Sequence, residues 1–225
     1  MAEKRAMAVT LREKKRAAII EAAIYEFNAA GFNAATMNGI AARAQVSKRT
    51  IYNHFDNKEA LFHTIAERVC EVVEQAAEVT YDRSRPVEAQ LTELACRQLD
   101  LLASEEFLTM ARVTLPTRIR NPELAPTQFA KLRLGTNGVG RWMSEAQEAG
   151  ALQFSDPRAA GRRFIAMLLE FAFWPVLTHL TPPPDEEERA AIIAETVDLF
   201  LNGCQREKAS EATGNTRPPT ARQHH

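Results

Sequence analysis

The side chains best suited to chemistry lie in one short polar segment near the amino end, VSKRTIYNHF at 46–55. At about 100° per residue, a helix here has Ile51 and Phe55 on one face and Arg49 and Asn53 on the opposite face. Arginine can donate to guanine or phosphate, asparagine can pair with adenine, and tyrosine or threonine can contact a thymine methyl group. The segment therefore indicates a helix that reads the major groove of duplex DNA. The alternative is an amphipathic helix whose outer face is merely solvated.

The charge distribution supports a polyanionic partner at this end of the chain. The whole sequence holds 28 Lys and Arg against 29 Asp and Glu, a net charge of −1. The first 60 residues, however, hold ten basic and six acidic residues, so the remainder is acidic. A basic end on an acidic body indicates contact with nucleic acid. Ordinary variation among helical surfaces would give the same imbalance.

The elements that position this segment are predicted to be helices. Strand patterns are nearly absent, whereas apolar residues recur at helical spacing, as at Ile20, Ile24 and Phe27. Thr36 and Ser47 are good N-caps for two short helices joined by a tight connection, which describes a helix-turn-helix. The fold class is therefore all-α, with predicted helices over 12–30, 36–44, 47–55, 58–79, 86–103, 105–117, 122–150, 157–180 and 185–206.

Glycine and proline residues predict details of the helical body. Gly135, Gly138 and Gly140 superficially resemble a phosphate-binding loop, but no strand precedes them and their spacing is wrong for one. They indicate close helix packing instead. Pro116 predicts a turn at the end of the helix that precedes it.

Composition argues against several classes of protein. The chain has 225 residues, 45% of them hydrophobic, which suits one large or two modest globular domains. No secretory signal is visible, the apolar stretch 164–180 is too short and broken for a membrane span, and three widely spaced cysteines are typical of reduced thiols. We therefore expect a cytoplasmic protein with no membrane partner. No hydrolase, metalloprotease or zinc motif occurs, so no enzyme activity, metal or cofactor is predicted; a helical enzyme with a vestigial helix-turn-helix is the alternative.

The amino-terminal segment resembles the DNA-binding domain of TetR-family transcriptional regulators. The resemblance rests on GFNAAT at 31–36 and IAARAQVSKRTIYNHFDNKEAL at 40–61, which follow the family pattern nearly element by element. Asn38-Gly39 departs from the commonest form, so Thr36 lacks the Glu or Gln partner of a capping box. The resemblance implies a three-helix helix-turn-helix DNA-binding domain and a larger C-terminal helical domain for ligand binding and dimerisation. It further implies a homodimer on a palindromic double-stranded DNA operator, with two recognition helices about 34 Å apart.

The resemblance also implies which residues contact DNA. Thr36 and Lys58 would bind phosphate at helix starts, and Asn38 and Arg43 would lie on the supporting helix. The full set of expected DNA contacts is Thr36, Asn38, Arg43, Ser47, Lys48, Arg49, Thr50, Tyr52, Asn53, His54 and Lys58. The basic residues at 14–16 would reach an adjacent minor groove or, as the alternative, belong to a frayed terminus.

Four regions are expected along the chain. They are a flexible basic arm at 1–11, the helix-turn-helix domain at 12–60, the helical regulatory and dimerisation domain at 61–206, and a disordered tail at 207–225.

The C-terminal domain is expected to dimerise and to bind a small molecule. Helices that are apolar nearly all round must be buried on both sides, which predicts a dimer interface at Phe164, Leu168, Phe173, Ile193, Val197, Phe200 and Leu201. An ordinary monomer core is the alternative. Aromatic and Met side chains suit an adaptable apolar pocket, for which the candidates are Phe107, Met110, Phe129, Trp142, Phe171 and Trp174. We expect an apolar or aromatic effector that releases a repressor from DNA; a regulator without a ligand, or an activator, is the alternative.

Overall fold

The computed structural model describes the backbone of residues 2–124 and 138–213, and the side chains of residues 10–124 and 138–203. The fold class is all-α, as predicted, and no strand occurs in these two ranges. A short 3₁₀ turn covers Pro122–Leu124. The helices are α1 (Ala2–Ala30), α2 (Met37–Arg43), α3 (Lys48–Tyr52), α4 (Lys58–Ala76), α5 (Val87–Ala103), α6 (Glu105–Arg120), α7 (Gly138–Glu148), α8 (Pro157–Ala172), α9 (Trp174–Leu177) and α10 (Glu186–Thr213).

Helices α1, α2 and α3 form a small bundle around one apolar centre. The α1 stripe buries Ile19, Ala23 and Phe27, while α2 contributes Ile40 and α3 contributes Ile51. Both α2 and α4 contact α1, and α2 contacts α3. Because α3 is anchored by its buried face, its opposite face is turned away from the protein.

Both ends of the chain are more helical than the sequence suggested. Helix α1 begins at Ala2, so the predicted flexible arm at 1–11 is instead helical from Ala2. Helix α10 continues to Thr213, beyond the predicted start of a disordered tail at residue 207. The physical reason is the same at both ends: segments rich in Ala, Glu, Lys and Arg, without Pro or Gly, favour continuation of an adjoining helix.

The turn between α2 and α3 is held by a Schellman motif with glutamine where glycine is usual. The N–H of Val46 donates to the carbonyl of Ala41 (3.0 Å), and the N–H of Gln45 donates to that of Ala42 (3.1 Å). Gln45 has a φ of 55°, in the left-handed region. These bonds satisfy carbonyls at the end of α2 and set the angle between the two helices.

The C-terminal domain is built around α5, which contacts α4, α6, α8 and α10. Helix α7 packs along α8 and abuts the end of α4, where a Cβ atom at Gly138 would lie 1.8 Å from the carbonyl oxygen of Ala77. The structure therefore confirms the prediction of close packing for Gly138, whereas Gly135 lies outside the described residues. None of the helices in the described ranges is long and apolar enough to cross a membrane.

Two further differences from the predicted helices involve proline residues. Helix α6 continues through Pro116 to Arg120, because the exposed proline ring lies on the outer side of a helix whose inner side is held by buried Val113 and Thr117. The predicted helix 157–180 is broken at Phe173, where φ is −114°. Pro175 has no N–H to donate to the carbonyl of Phe171, and a new turn, α9, starts instead.

The left-handed conformation of Gln45 leads to a stability prediction. A non-glycine residue in this conformation carries a steric cost that glycine avoids. Gln45→Gly should therefore raise the free energy of unfolding by about 0.5–1 kcal/mol, measured by urea denaturation. Gln75→Gly in the last turn of α4 is the control and should lower it by a similar amount, since glycine is unfavourable within a helix. A loss of stability for Gln45→Gly would contradict the assignment.

Candidate nucleic-acid interface

The start of each helix in the helix-turn-helix carries the side-chain cap that the sequence predicts. The hydroxyl of Thr36 accepts a hydrogen bond from the N–H of Gly39 at 3.1 Å, without the acidic partner of a capping box. The hydroxyl of Ser47 accepts from the N–H of Thr50, also at 3.1 Å. Each cap fixes the first turn of its helix and satisfies a donor that would otherwise need water.

The outer face of α3 is polar and exposed. Lys48, Arg49 and Asn53 are exposed, and the Tyr52 side chain is 43% exposed despite its aromatic ring. On the opposite face Ile51 and Phe55 are buried. The predicted division of this helix into two faces is confirmed. Although α3 itself ends at Tyr52, the N–H groups of Asn53 and Phe55 still donate to carbonyls one turn earlier, so the face continues beyond it.

Two further predicted contacts, Thr50 and His54, are only half exposed. The hydroxyls of Thr50 and Ser47 lie 2.8 Å apart and are hydrogen-bonded to each other, so the cap and the predicted contact form one unit. Asn38, on α2, is exposed. Their contacts with DNA stay predictions.

Basic residues of α1 add to this surface. Burial lowers the pKa of His54, and the nearby charges of Arg12, Arg16 and Lys15 lower it further, so the imidazole is neutral at pH 7. The Arg16 guanidinium lies 5.2 Å from the centre of the Phe55 ring. The sequence analysis considered the residues at 14–16 but missed Arg12. Arg12 lies within the predicted helix 12–30 and four residues before Arg16, so the helix face that the two residues share is the signal that could have found it.

Arg43 is turned towards α1 rather than outward. Its Nε donates to a carboxylate oxygen of Glu26 at 2.6 Å, and its guanidinium lies 3.4 Å from the centre of the Tyr25 ring. The hydrogen bond to Glu26 is the largest cause of the raised pKa of Arg43. In the free protein this side chain therefore ties α2 to α1, and the expectation that it reaches DNA is not supported.

Lys58 also has a different role from the predicted phosphate contact. Its Nζ donates to the carbonyls of Phe32 at 2.8 Å and Asn33 at 2.9 Å, with a longer contact to that of Ala35 at 3.4 Å. The ammonium also lies 4.7 Å from the centre of the Phe32 ring. These contacts have a simple reason: an ammonium has three donors, and the loop between α1 and α2 supplies three acceptors for them. The phosphate contact of Lys58 stays a prediction.

Of the five predicted pocket residues that lie within the described ranges, three are buried. Phe107, Met110 and Trp142 are buried, whereas Phe171 is 59% exposed and Trp174 is 44% exposed, so the single subunit does not enclose the last two. Phe129 lies outside the described residues. A cleft of about 1050 Å³ lies between α1, α4 and α6, and Met110 lines it together with residues that the sequence analysis did not single out.

The predicted dimer-interface residues face inward. All except Leu201, which is half-buried, are already covered within one subunit: Phe164, Leu168, Phe173, Ile193, Val197 and Phe200. The prediction is therefore wrong for these six, because the apolar stripes of α8 and α10 pack on α5 and on each other. The alternative, an ordinary core, is the correct description of these stripes.

No cluster of three or more His, Cys, Asp or Glu suited to a metal ion occurs within the ranges whose side chains are described. The exposed groups on α3 are hydrogen-bond donors, an aromatic ring and positive charges. These groups suit the edges and phosphates of a duplex.

Family models match both parts of the chain. Residues 19–65 match the family described as bacterial regulatory proteins, tetR family. Residues 89–203, just over half of the chain, match the family described as AefR-like transcriptional repressor, C-terminal domain. The first match covers the helix-turn-helix and the second covers α5 and most of the helices after it.

Individual proteins with similar sequences are also regulators. The uncharacterised HTH-type transcriptional regulator YhgD of Bacillus subtilis is 26% identical over 78% of this chain and 90% of its own length. The HTH-type transcriptional regulator UidR of Escherichia coli is 29% identical over 64% of this chain and 71% of its own length.

Solved structures share the fold over most of the chain. A TetR family transcriptional regulator from Pseudomonas syringae is 36% identical, with a TM-score of 0.72 over 84% of this chain and 96% of its own. The flavonoid-responsive regulator FrrA is 27% identical, with a TM-score of 0.67 over 85% of this chain and 97% of its own.

The contacts of Lys58 lead to a prediction that separates a structural role from a DNA contact. Lys58→Met should lower the free energy of unfolding by about 1–3 kcal/mol, because three carbonyls lose a charged donor. It should leave the salt dependence of DNA binding unchanged, since no phosphate contact is lost. Urea denaturation and fluorescence-anisotropy titrations at several salt concentrations measure the two effects.

The matched control is Lys48→Met, at an exposed lysine on α3. It should leave stability unchanged and reduce the slope of log K against log salt by about one. If Lys58→Met kept the parent stability and flattened the slope, the original phosphate role would be right.

Proposed function

The chain belongs to the TetR family of DNA-binding transcriptional regulators, and on this premise we propose that it is a repressor released from its operator by a small molecule. Members of this family regulate transcription and are not enzymes, which removes the alternative of a helical enzyme. The observation that carries the proposal is the exposed polar face of α3, held outward by the buried Ile51 and Phe55. As a regulator of transcription, the protein works on the DNA in the cytoplasm.

Four exposed side chains read the operator in this proposal. Lys48 and Arg49 donate to guanine acceptors or phosphates, Asn53 pairs with adenine or a phosphate, and Tyr52 packs on a thymine methyl group. Thr50 and the neutral His54 complete the face. Thr36, Asn38 and Ser47 lie at or near the starts of α2 and α3, where exposed N–H groups favour the negative phosphate backbone.

A homodimer would bring two such faces to a palindrome. The outer faces of α8 and α10, rather than the stripes predicted from sequence, are the surfaces that remain free within one subunit. Arg162 and Arg163 are exposed on α8, while Glu195, Asp198 and the apolar Leu199 are exposed on α10. In a two-fold interface that pairs α8 of one subunit with α10 of the other, opposite charges meet twice around apolar contacts.

Helix α6 links the two parts of the subunit and would transmit the effector signal. The amide of Asn28 on α1 donates to the carbonyl of Thr109 on α6 at 3.2 Å, and Arg68 on α4 forms an ion pair with Glu106. One turn further along the same helix, Arg112 donates to the carbonyl of Val176 in α9. A ligand that shifts α6 relative to α1 and α4 would change the separation of the two recognition helices, through its different affinity for the two states.

The effector is proposed to be a neutral, largely aromatic molecule. The described core buries many apolar and aromatic side chains but no Asp, Glu, Lys or Arg. FrrA, a relative over most of its length, is a flavonoid-responsive regulator. We therefore take flavonoid-like molecules as the first effector class to test.

The DNA-binding role is tested by fluorescence anisotropy on the intergenic DNA next to the gene. Tyr52→Ala should weaken specific binding by about 1–3 kcal/mol while non-specific binding stays unchanged, because only the base contact is lost. Arg83→Ala, which removes an exposed charge in the loop after α4, is the control and should bind as the parent does. Equal binding by the parent and Tyr52→Ala would remove this contact from the proposal.

The dimer is tested by charge reversal. Arg162→Glu with Arg163→Glu should bring like charges together across the interface and shift the protein towards monomers, measured by light scattering after size exclusion. Adding Glu195→Arg and Asp198→Arg to the same chain should restore the dimer, since the charges are then opposite again. A dimer that is unaffected by the first pair of substitutions would mean that another surface is used.

A further inference from the structure

The cleft of about 1050 Å³ between α1, α4 and α6 lies where the helix-turn-helix domain meets the rest of the subunit. Its α1 wall includes Ile20, Ile24 and Asn28, which share one helix face at a spacing of four residues. Its α6 wall comes from the first half of that helix. A molecule bound in this cleft would therefore contact both parts of the subunit, rather than the interior of the C-terminal domain.

The floor of the cleft is apolar. Ile20 and Met110 are buried, and Ile24 is half-buried. The ring of Tyr25, which is 54% exposed, adds aromatic surface to the same lining. A cleft of this size with such a lining suits an organic molecule with an apolar or aromatic body.

Two polar contacts between the lining residues hold the walls of the cleft in place. The amide of Asn28 on α1 donates to the carbonyl of Thr109 on α6 at 3.2 Å. Arg68 on α4 forms an ion pair with Glu106 on α6. All four residues line the cleft, so its shape is set before a ligand arrives.

Both arginines of the lining already have partners. The charge of Arg68 is balanced by Glu106. Arg112 donates to the carbonyls of Val176 at 3.3 Å and Leu177 at 3.5 Å, at the side of α6 that meets α9. Neither guanidinium is therefore available as the main partner of a bound anion.

Two carboxylates of the lining, by contrast, have no partner. Glu21 on α1 and Glu105 on α6 are exposed and form no ion pair or side-chain hydrogen bond with the described residues. No Lys or Arg lies three or four residues from either glutamate in the sequence. The helix dipole favours Glu105 in the first turn of α6, but it does not explain Glu21 in the interior of α1.

We propose that this cleft binds an organic cation, with an apolar or aromatic body and one positive charge. The body covers the apolar floor, and the carboxylates of Glu21 and Glu105 balance the charge. An anion of the same shape would meet like charges at these two positions. The proposal goes beyond the proposed function, because it assigns a second site with a ligand of different charge from the neutral effector.

The test compares tetraphenylphosphonium with tetraphenylborate, two ions of nearly the same shape and opposite charge. Binding of each is measured by titration calorimetry on the full chain. Tetraphenylphosphonium should bind at least about 5-fold more tightly than tetraphenylborate, because only the cation is attracted by the free carboxylates. It should also raise the thermal midpoint, since it binds the folded chain.

Charge-removing variants locate the positive end of the ligand. Glu21→Gln and Glu105→Gln should each weaken binding of tetraphenylphosphonium about 2- to 5-fold, the range expected for an exposed ion pair, and should not weaken binding of tetraphenylborate. Glu88→Gln is the matched control, because Glu88 lies in the first turn of α5, as Glu105 does in α6, but outside the cleft. It should bind both ions as the parent does.

A variant that fills the cleft locates the body of the ligand. Thr109→Phe adds a ring to the α6 wall without changing any charge, and its backbone carbonyl can still accept from Asn28. It should weaken binding of both ions at least about 5-fold, because less space is left for the phenyl groups. Its far-ultraviolet circular dichroism and thermal midpoint should match those of the parent, which shows that the fold is kept.

Four results would overturn the proposal. Tetraphenylphosphonium does not bind, the two ions bind alike, Glu88→Gln weakens the cation as much as Glu21→Gln does, or a folded Thr109→Phe binds as the parent does. The third would mean a general effect of protein charge, and the fourth would mean a site elsewhere. None of these results affects the proposed DNA-binding role, which is measured without the cation.

Discussion

The function of this protein depends on the burial of one face of a five-residue helix. Ile51 within α3 and Phe55 just beyond it pack into the centre formed by α1 and α2, and this contact decides that the opposite face looks outward. A helix of this length is not stable alone, because too few hydrogen bonds offset the cost of ordering it. The missing stability comes from the side-chain caps at Thr36 and Ser47 and from packing against α1.

Polar side chains around α3 divide into those that hold the domain together and those that stay free. Arg43 forms an ion pair with Glu26, and Lys58 donates to carbonyls of the loop that follows α1, so both charges stabilise the fold. Lys48 and Arg49 carry the same charge but have no acidic side chain or carbonyl within hydrogen-bonding distance in the described structure. Charge alone therefore does not identify a DNA contact, since the neighbours of each charge decide how it is used.

The C-terminal domain shows the same distinction for apolar residues. The apolar stripes of α8 and α10 suggest a dimer interface in the sequence, because each helix is apolar over most of its circumference. Phe164 and Val197 are covered by the subunit itself, and the outer faces that remain carry charges of opposite sign, such as Arg162 and Glu195. Periodicity states how much of a helix is buried, but the same pattern fits burial by its own domain or by a second copy.

The sequence alone determined the helical fold class, the two caps, the division of α3 into two faces and the family, because these features depend on residues within a few turns of one another. It misjudged the first residues, the end of the last helix and the break at Phe173, where weak local preferences compete with packing. Only the tertiary structure decided the partners of Arg43 and Lys58, the free faces of α8 and α10, and the cleft between α1, α4 and α6. These outcomes depend on residues that are distant in the chain and meet only after folding, so no local pattern contains them.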